Sequence, residues 1–152
     1  MSSVHHSFET TCSPEALWSV IADLSSVAKT NSAVRSVAVV GDKQGGIGAM
    51  RRCELRPKGT VTERVCAYDE GRAIGFEIVE SDWPVVAMSW VTKVVPRSDG
   101  ARLDQVLDYK MKFGPIGWLL NVLVMRRALE RNIGEALKGV IRVAEGHGQA
   151  RQ

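Results

Sequence analysis

With 152 residues, 45% of them hydrophobic and 24% charged, the chain is long enough for one domain with its own core and carries no low-complexity segment. Its net charge of +3 is spread, and the densest basic cluster, Arg51, Arg52, Arg56 and Lys58, is interrupted by Glu54, so nucleic acid is not an expected partner. No signal-peptide pattern opens the chain, and the longest apolar run, Ile116 to Met125, is too short to span a bilayer and contains Asn121; a cytoplasmic protein without stable membrane insertion is expected.

Cys12, Cys53 and Cys66 are odd in number and lack CxxC spacing, which suits reduced thiols. Val4, His6, Phe8 and Thr10 alternate with His5, Ser7 and Glu9 and predict a first strand. Ser13, Pro14 and Glu15 then give a helix start: a capping hydroxyl, proline in the first helical position and an acid near the positive helix end. Ala16, Leu17, Val20, Ile21 and Leu24 make a short amphipathic helix, and a second short helix fits Ser25 to Thr30.

From Ala33 to Phe113 the pattern is a run of hairpins. Turn signals at Gly41/Asp42, Gly45/Gly46, Pro57/Lys58/Gly59, Asp69/Glu70/Gly71, Ser81/Asp82 and Ser98/Asp99/Gly100 delimit strands near 34–41, 46–56, 60–68, 72–80, 85–96 and 102–113. With the first strand they predict a seven-stranded antiparallel meander, one face dry and one wet. In the last strand Leu103, Gln105, Leu107, Tyr109, Met111 and Phe113 form the inward set against Arg102, Asp104, Val106, Asp108, Lys110 and Lys112. Ile74, Phe76 and Ile78 face inward by the same alternation, as do Val86, Met88, Trp90, Thr92 and Val94.

Gly114 and Pro115 end the strands and open a long helix. Trp118, Val122, Met125, Leu129, Ile133, Ala136, Val140 and Val143 fall on one stripe, flanked by Leu119, Leu123, Leu137 and Ile141. The opposite face carries Arg127, Arg131, Glu135, Lys138, Arg142 and Glu145, with Arg126/Glu130 and Arg131/Glu135 at ion-pair spacing. From Ile116 to Glu145 the helix would be about 45 Å long, so it needs a broad partner surface. Residues 146–152 are expected to form a disordered tail after a single domain spanning 1–145.

This order of elements, with Ser13-Pro14-Glu15-Ala16-Leu17-Trp18, the strand start from Gly48 to Arg51, Thr62-Glu63-Arg64-Val65 leading to Asp69, and Gly114-Pro115-Ile116-Gly117, resembles the START, Bet v 1 and polyketide cyclase/dehydrase superfamily. The resemblance covers almost the whole chain. It implies an α+β helix-grip fold in which a curved sheet wraps the C-terminal helix and leaves an apolar cavity between them.

The hairpin around Lys58 decides where two charges lie. A three-residue turn of Pro57, Lys58 and Gly59 sets Cys53 opposite Glu63 and Arg51 opposite Val65, so that Arg51, Cys53, Leu55, Val61, Glu63 and Val65 share the inner face; a two-residue turn would separate Arg51 from Glu63. The first arrangement resembles the plant hormone receptors of the superfamily, whose pocket receives a glutamate from a similar strand. Under the helix, Arg51 and Glu63 either pair with each other or orient the polar end of a ligand. Gln105 and Tyr109 are the other polar groups of the inner face. Phe76, Ile78, Met88 and Trp90 from the sheet, with Val122, Met125, Leu129 and Ile133 from the helix, are candidate cavity walls. Asn132 sits at the edge of the stripe, and Trp83 lies where related domains place a lid.

His5 and His6 point to opposite faces, and no cluster of ligating residues has metal spacing; no metal and no cofactor is expected. No nucleophilic triad, P-loop or dinucleotide glycine pattern occurs. The leading reading is therefore binding of a small hydrophobic or lipid-like molecule, its polar end held by Arg51, Glu63, Gln105 and Tyr109. The resemblance also allows a polyketide cyclase/dehydrase-like enzyme using Glu63 or Tyr109 to move protons, or an interaction module with a filled pocket. Trp118, Leu119 and Leu120 just ahead of Arg126 and Arg127 also form a pattern that can touch a membrane surface.

Overall fold

The computed structural model describes residues 2–82, 85–111 and 114–150; the side chains of Gly117, Leu120, Asn121, Val122 and residues 147–150 are not described. Strand β1 (Ser2–Thr10) leads into α1 (Pro14–Ile21), a 3₁₀ turn (Leu24–Ser26) and α2 (Val27–Thr30). Strands β2 (Val34–Val40), β3 (Met50–Leu55), β4 (Thr60–Asp69), β5 (Ala73–Ser81), β6 (Val85–Arg97) and β7 (Gly100–Met111) follow. The chain ends in α3 (Gly114–Leu120), a π-helical segment (Asn121–Met125) and α4 (Arg126–Ala150).

The seven strands form one antiparallel sheet in the order β1-β7-β6-β5-β4-β3-β2. The short helices carry the chain from the β1 edge to the β2 edge. The hairpins then return it until β7 pairs beside β1. The expected helix start is present: Ser13 Oγ accepts the Ala16 N–H at 3.1 Å and Pro14 occupies the first turn. Leu17, Val20 and Leu24 of the crossover pack with Val65, Ile74, Leu103 and Tyr109 of the sheet and Leu137 of α4 in the main core. A smaller cluster of Val34, Cys53, Leu55 and Val61 lies near the β2 edge.

Four departures from the sequence pattern have local physical reasons. The strand expected from 46 begins at Met50, because Gly46 and Gly48 have positive φ (75° and 87°), a conformation that breaks a strand. In β6 Val86 is exposed and Val85 buried, since the pairing with β7 slips between Val85 and Ala87; the extra residue of a bulge reverses the faces. The expected tail is helical as far as Ala150. Finally, the stripe expected from Trp118 onward is not continuous: Trp118 and Leu123 are 65% and 61% exposed, whereas Leu129, Ile133, Leu137 and Val140 are buried. The π segment inserts a wider turn between the two sets, so counting at 3.6 residues per turn carries the wrong phase across it.

Over the cavity side, α4 crosses α2 closely. A Cβ on Gly139 would lie 2.0 Å from the Thr30 carbonyl oxygen, so only glycine permits this approach. Gly134, five residues earlier, has only His6 Cε1 at 3.8 Å. Gly139→Ala is expected to lower stability by about 2–3 kcal/mol through forced separation of the helices. Gly134→Ala is expected to raise it by up to about 1 kcal/mol through helix propensity. Thermal unfolding followed by circular dichroism checks both, and equal shifts of the same sign would refute the close crossing.

Candidate functional site

The inner face of the sheet is set by strand parity, and the parity expected for β3 and β4 holds while the exact register differs. Arg51 pairs with Glu63 and Cys53 with Val61, and the Leu55 N–H donates to the Gly59 carbonyl at 2.8 Å. The turn is thus Arg56-Pro57-Lys58, one residue earlier than expected. A shift of one residue on each strand keeps every side chain on its face, so Arg51 and Glu63 become direct cross-strand neighbours instead of diagonal ones.

Both side chains are buried. Arg51 Nε donates to Glu63 Oε2 at 2.6 Å, and Nη1 donates to the Leu24 carbonyl at 3.2 Å, tying the sheet to the 3₁₀ turn. The guanidinium lies 4.0 Å from the centre of the Phe76 ring, which itself stacks on Trp90 at 5.7 Å. The pair is neutral as a unit and hydrogen-bonded on several sides, the condition for charges to persist in an apolar interior. Beside it the Cys53 thiol is pushed up to about 12, by burial first and then by the Glu63 charge, with Arg51 opposing.

Between this face and α4 lies a cavity of about 150 Å³. Arg51, Glu63, Phe76, Ile78, Met88, Trp90 and Gln105 line its floor, and Leu129 and Ile133 its roof, as the sequence pattern anticipates. Two expected members are elsewhere. Tyr109 does not line it and is a fully buried part of the core, and Met125 packs against that core beyond the cavity. The side chain of Val122 and the whole of the proposed lid residue Trp83 lie outside what is described.

The side wall comes from residues the sequence pattern missed. Thr30, Asn31 and Val34 close the cavity at the end of α2. Asn132, noted at the stripe's edge, donates from Nδ2 to Asn31 Oδ1 at 3.1 Å, and that oxygen also accepts the Ala33 N–H at 3.0 Å. A four-residue helix is too short to show periodicity, so its inward side has no readable signature. Thr92 was legible as inward-facing; its Oγ1 donates to Gln105 Oε1 at 2.9 Å across the β6–β7 register, which directs the Gln105 amide nitrogen away from that bond.

Such an arrangement, an apolar chamber with a buried neutral ion pair and a few amides, suits reception of an apolar molecule bearing a small polar group. The sequence matches the family described as polyketide cyclase / dehydrase and lipid transport over residues 1–145. The chain belongs to this family. Solved structures share its fold. A protein of Thermus thermophilus superposes with a TM-score of 0.81 at 19% identity, over 96% of this chain and 99% of that one. Norcoclaurine synthase from Thalictrum flavum, in complex with dopamine and hydroxybenzaldehyde, gives 0.73 at 16% identity, over 96% and 87%. XoxI from Bacillus cereus gives 0.73 at 16% identity, over 93% and 94%. None of the curated proteins matches. At these identities the likeness is one of fold, and the polyketide cyclase/dehydrase and lipid transport family supplies the functional class.

No group of three or more metal-ligating side chains occurs among the described residues. Removing one member of the ion pair leaves a buried charge alone: Arg51→Ala is expected to cost about 3–5 kcal/mol in denaturant unfolding. Arg51→Met with Glu63→Leu is expected to recover most of that loss, and additive single-site losses would contradict the buried pair. For Cys53 the sign follows from its higher pKa in the fold. The unfolded thiol loses its proton near 9 while the folded one keeps it until about 12. Stability is therefore intact below pH 9 and falls above it, by up to about 1.4 kcal/mol per pH unit from this group. Cys53→Ala should remove that part of the alkaline slope.

Proposed function

We infer that the protein binds a small, uncharged and largely apolar molecule in the cavity between the sheet and α4. The observation that carries this reading is the chamber of about 150 Å³ left open beside a buried Arg51–Glu63 pair whose charges cancel. A charged ligand would have to break that pair or remain unpaired, both costly away from water. Phe76 and Trp90 offer ring faces, and the Gln105 amide and the Asn31–Asn132 pair offer polar contacts at separate points of the wall. A space of this size accommodates a guest on the order of one aromatic ring, so a lipid-like chain would have to extend beyond it.

Cyclase or dehydrase chemistry rests on the family description alone, since Glu63 Oε2 is occupied by Arg51 and Tyr109 does not line the cavity. Binding is the better supported reading. A cytoplasmic setting accompanies it, in keeping with three free thiols.

The neutral fluorophore N-phenylnaphthylamine is expected to bind one-to-one with a rise in emission. Ala136, a small cavity-lining residue, provides the control. Ala136→Leu should weaken binding more than about tenfold while leaving the melting temperature unchanged or higher, because the added methyl groups fill the space a ligand would occupy. Undiminished binding by folded Ala136→Leu protein would place the dye elsewhere and remove the proposal's support.

A further inference from the structure

Five large apolar side chains are exposed within nine residues at the start of the C-terminal helical segment. Ile116, Trp118, Leu119, Leu123 and Val124 are 68%, 65%, 50%, 61% and 62% exposed. Elsewhere among the described residues large exposed apolar side chains are scattered, at Ile47, Val79 and Val86. A soluble surface rarely concentrates apolar groups in this way without a partner.

The sequence through the ridge carries charges of one sign. From Tyr109 to Leu129 the sequence contains no aspartate or glutamate, but it contains Lys110, Lys112, Arg126 and Arg127. Lys110, Arg126 and Arg127 are exposed. Arg126 Nε reaches Glu130 at 3.2 Å, the first acid beyond the stretch.

We propose that this ridge, from Ile116 to Val124 with its flanking cations, docks on an anionic lipid bilayer surface. The apolar side chains enter the boundary between headgroups and acyl chains, Trp118 takes the interfacial position that tryptophan favours, and the lysines and arginines meet lipid phosphates. The segment lies on the surface; no helix among the described residues is long and apolar enough to cross a membrane. A second copy of the chain is the less suitable occupant. A two-fold interface would gather two copies of Lys110, Arg126 and Arg127 at one contact, with no acid between Tyr109 and Leu129 to offset them. The ridge and the cavity share one helical axis: Leu123 precedes the cavity residue Leu129 by six positions, about 9 Å of helix rise. A docked protein thus holds its cavity close to the lipid from which an apolar ligand would come.

The test is co-sedimentation of the full chain with phosphatidylcholine vesicles with and without phosphatidylserine. Binding is expected to the serine-containing vesicles, with a blue shift of tryptophan emission, and to weaken as sodium chloride is raised. Trp118→Ser with Leu123→Ser should reduce binding more than about tenfold. Arg127→Gln should reduce it about fivefold. Both variants alter exposed positions and should melt as the wild type does. Ala136→Leu should still sediment with vesicles while losing the dye, which separates this surface from the cavity. Absence of binding to anionic vesicles at low salt by folded protein overturns the proposal. So does a dimer in sedimentation velocity that Leu123→Ser disperses, which would assign the ridge to a second copy.

Discussion

One contact sets the shape of the interior. The Thr30 carbonyl sits where the side chain of any residue but glycine would stand at position 139, so α2 and α4 touch backbone to backbone. The seven-stranded sheet is far broader than the apolar stripe of one helix, and a single helix laid across it leaves much of the inner face uncovered. The crossover from β1 to β2 makes up the difference: α1, the 3₁₀ turn and α2 cover the sheet beside α4 and pin it at Gly139. The cavity is the gap between this two-part roof and the strands, and its floor carries Arg51, Glu63 and Phe76.

The same crossover explains why the ion pair is tolerated. Arg51 has its carboxylate partner across the strand pair and a second acceptor in the Leu24 carbonyl. That carbonyl belongs to the turn that joins the short helices. A salt bridge in the floor is thereby also a tie between floor and roof, and the Phe76 ring below the guanidinium limits its movement. The pair is neutral as a unit and leaves the cavity floor without net charge there.

Much of this was legible in the sequence wherever a simple period governs. Alternation in β5 and β7 placed Phe76, Ile78 and Gln105, and parity alone was enough to bring Arg51 and Glu63 to one face even though the turn was assigned one residue late. Periodic reasoning failed where one residue is added to a regular element. The bulge at Val85 reversed the start of β6, and the π segment at Asn121–Met125 broke the phase of the helical stripe. The α2 wall was illegible for a different reason: four residues cannot display a period, so Thr30 and Asn31 carried no sign of facing inward. Tyr109 shows the remaining gap, because inward orientation distinguishes neither core from cavity nor one end of a strand from another.

Energetics argue that the open chamber is not an accident of packing. Leaving about 150 Å³ unfilled costs, at the rate found for cavities in cores, about 4 kcal/mol, a large fraction of the stability of a domain this size. The chain has the means to avoid that cost, since longer side chains at Ala136 or Val61 would reach into the space. It also places a buried charge pair against the gap, where apolar residues would forgo the cost of desolvating two charges. Two unfavourable choices beside each other, in a core otherwise dense with leucine, valine and isoleucine, are what a fold that must admit a guest requires, because the guest restores on binding the contacts the empty fold lacks.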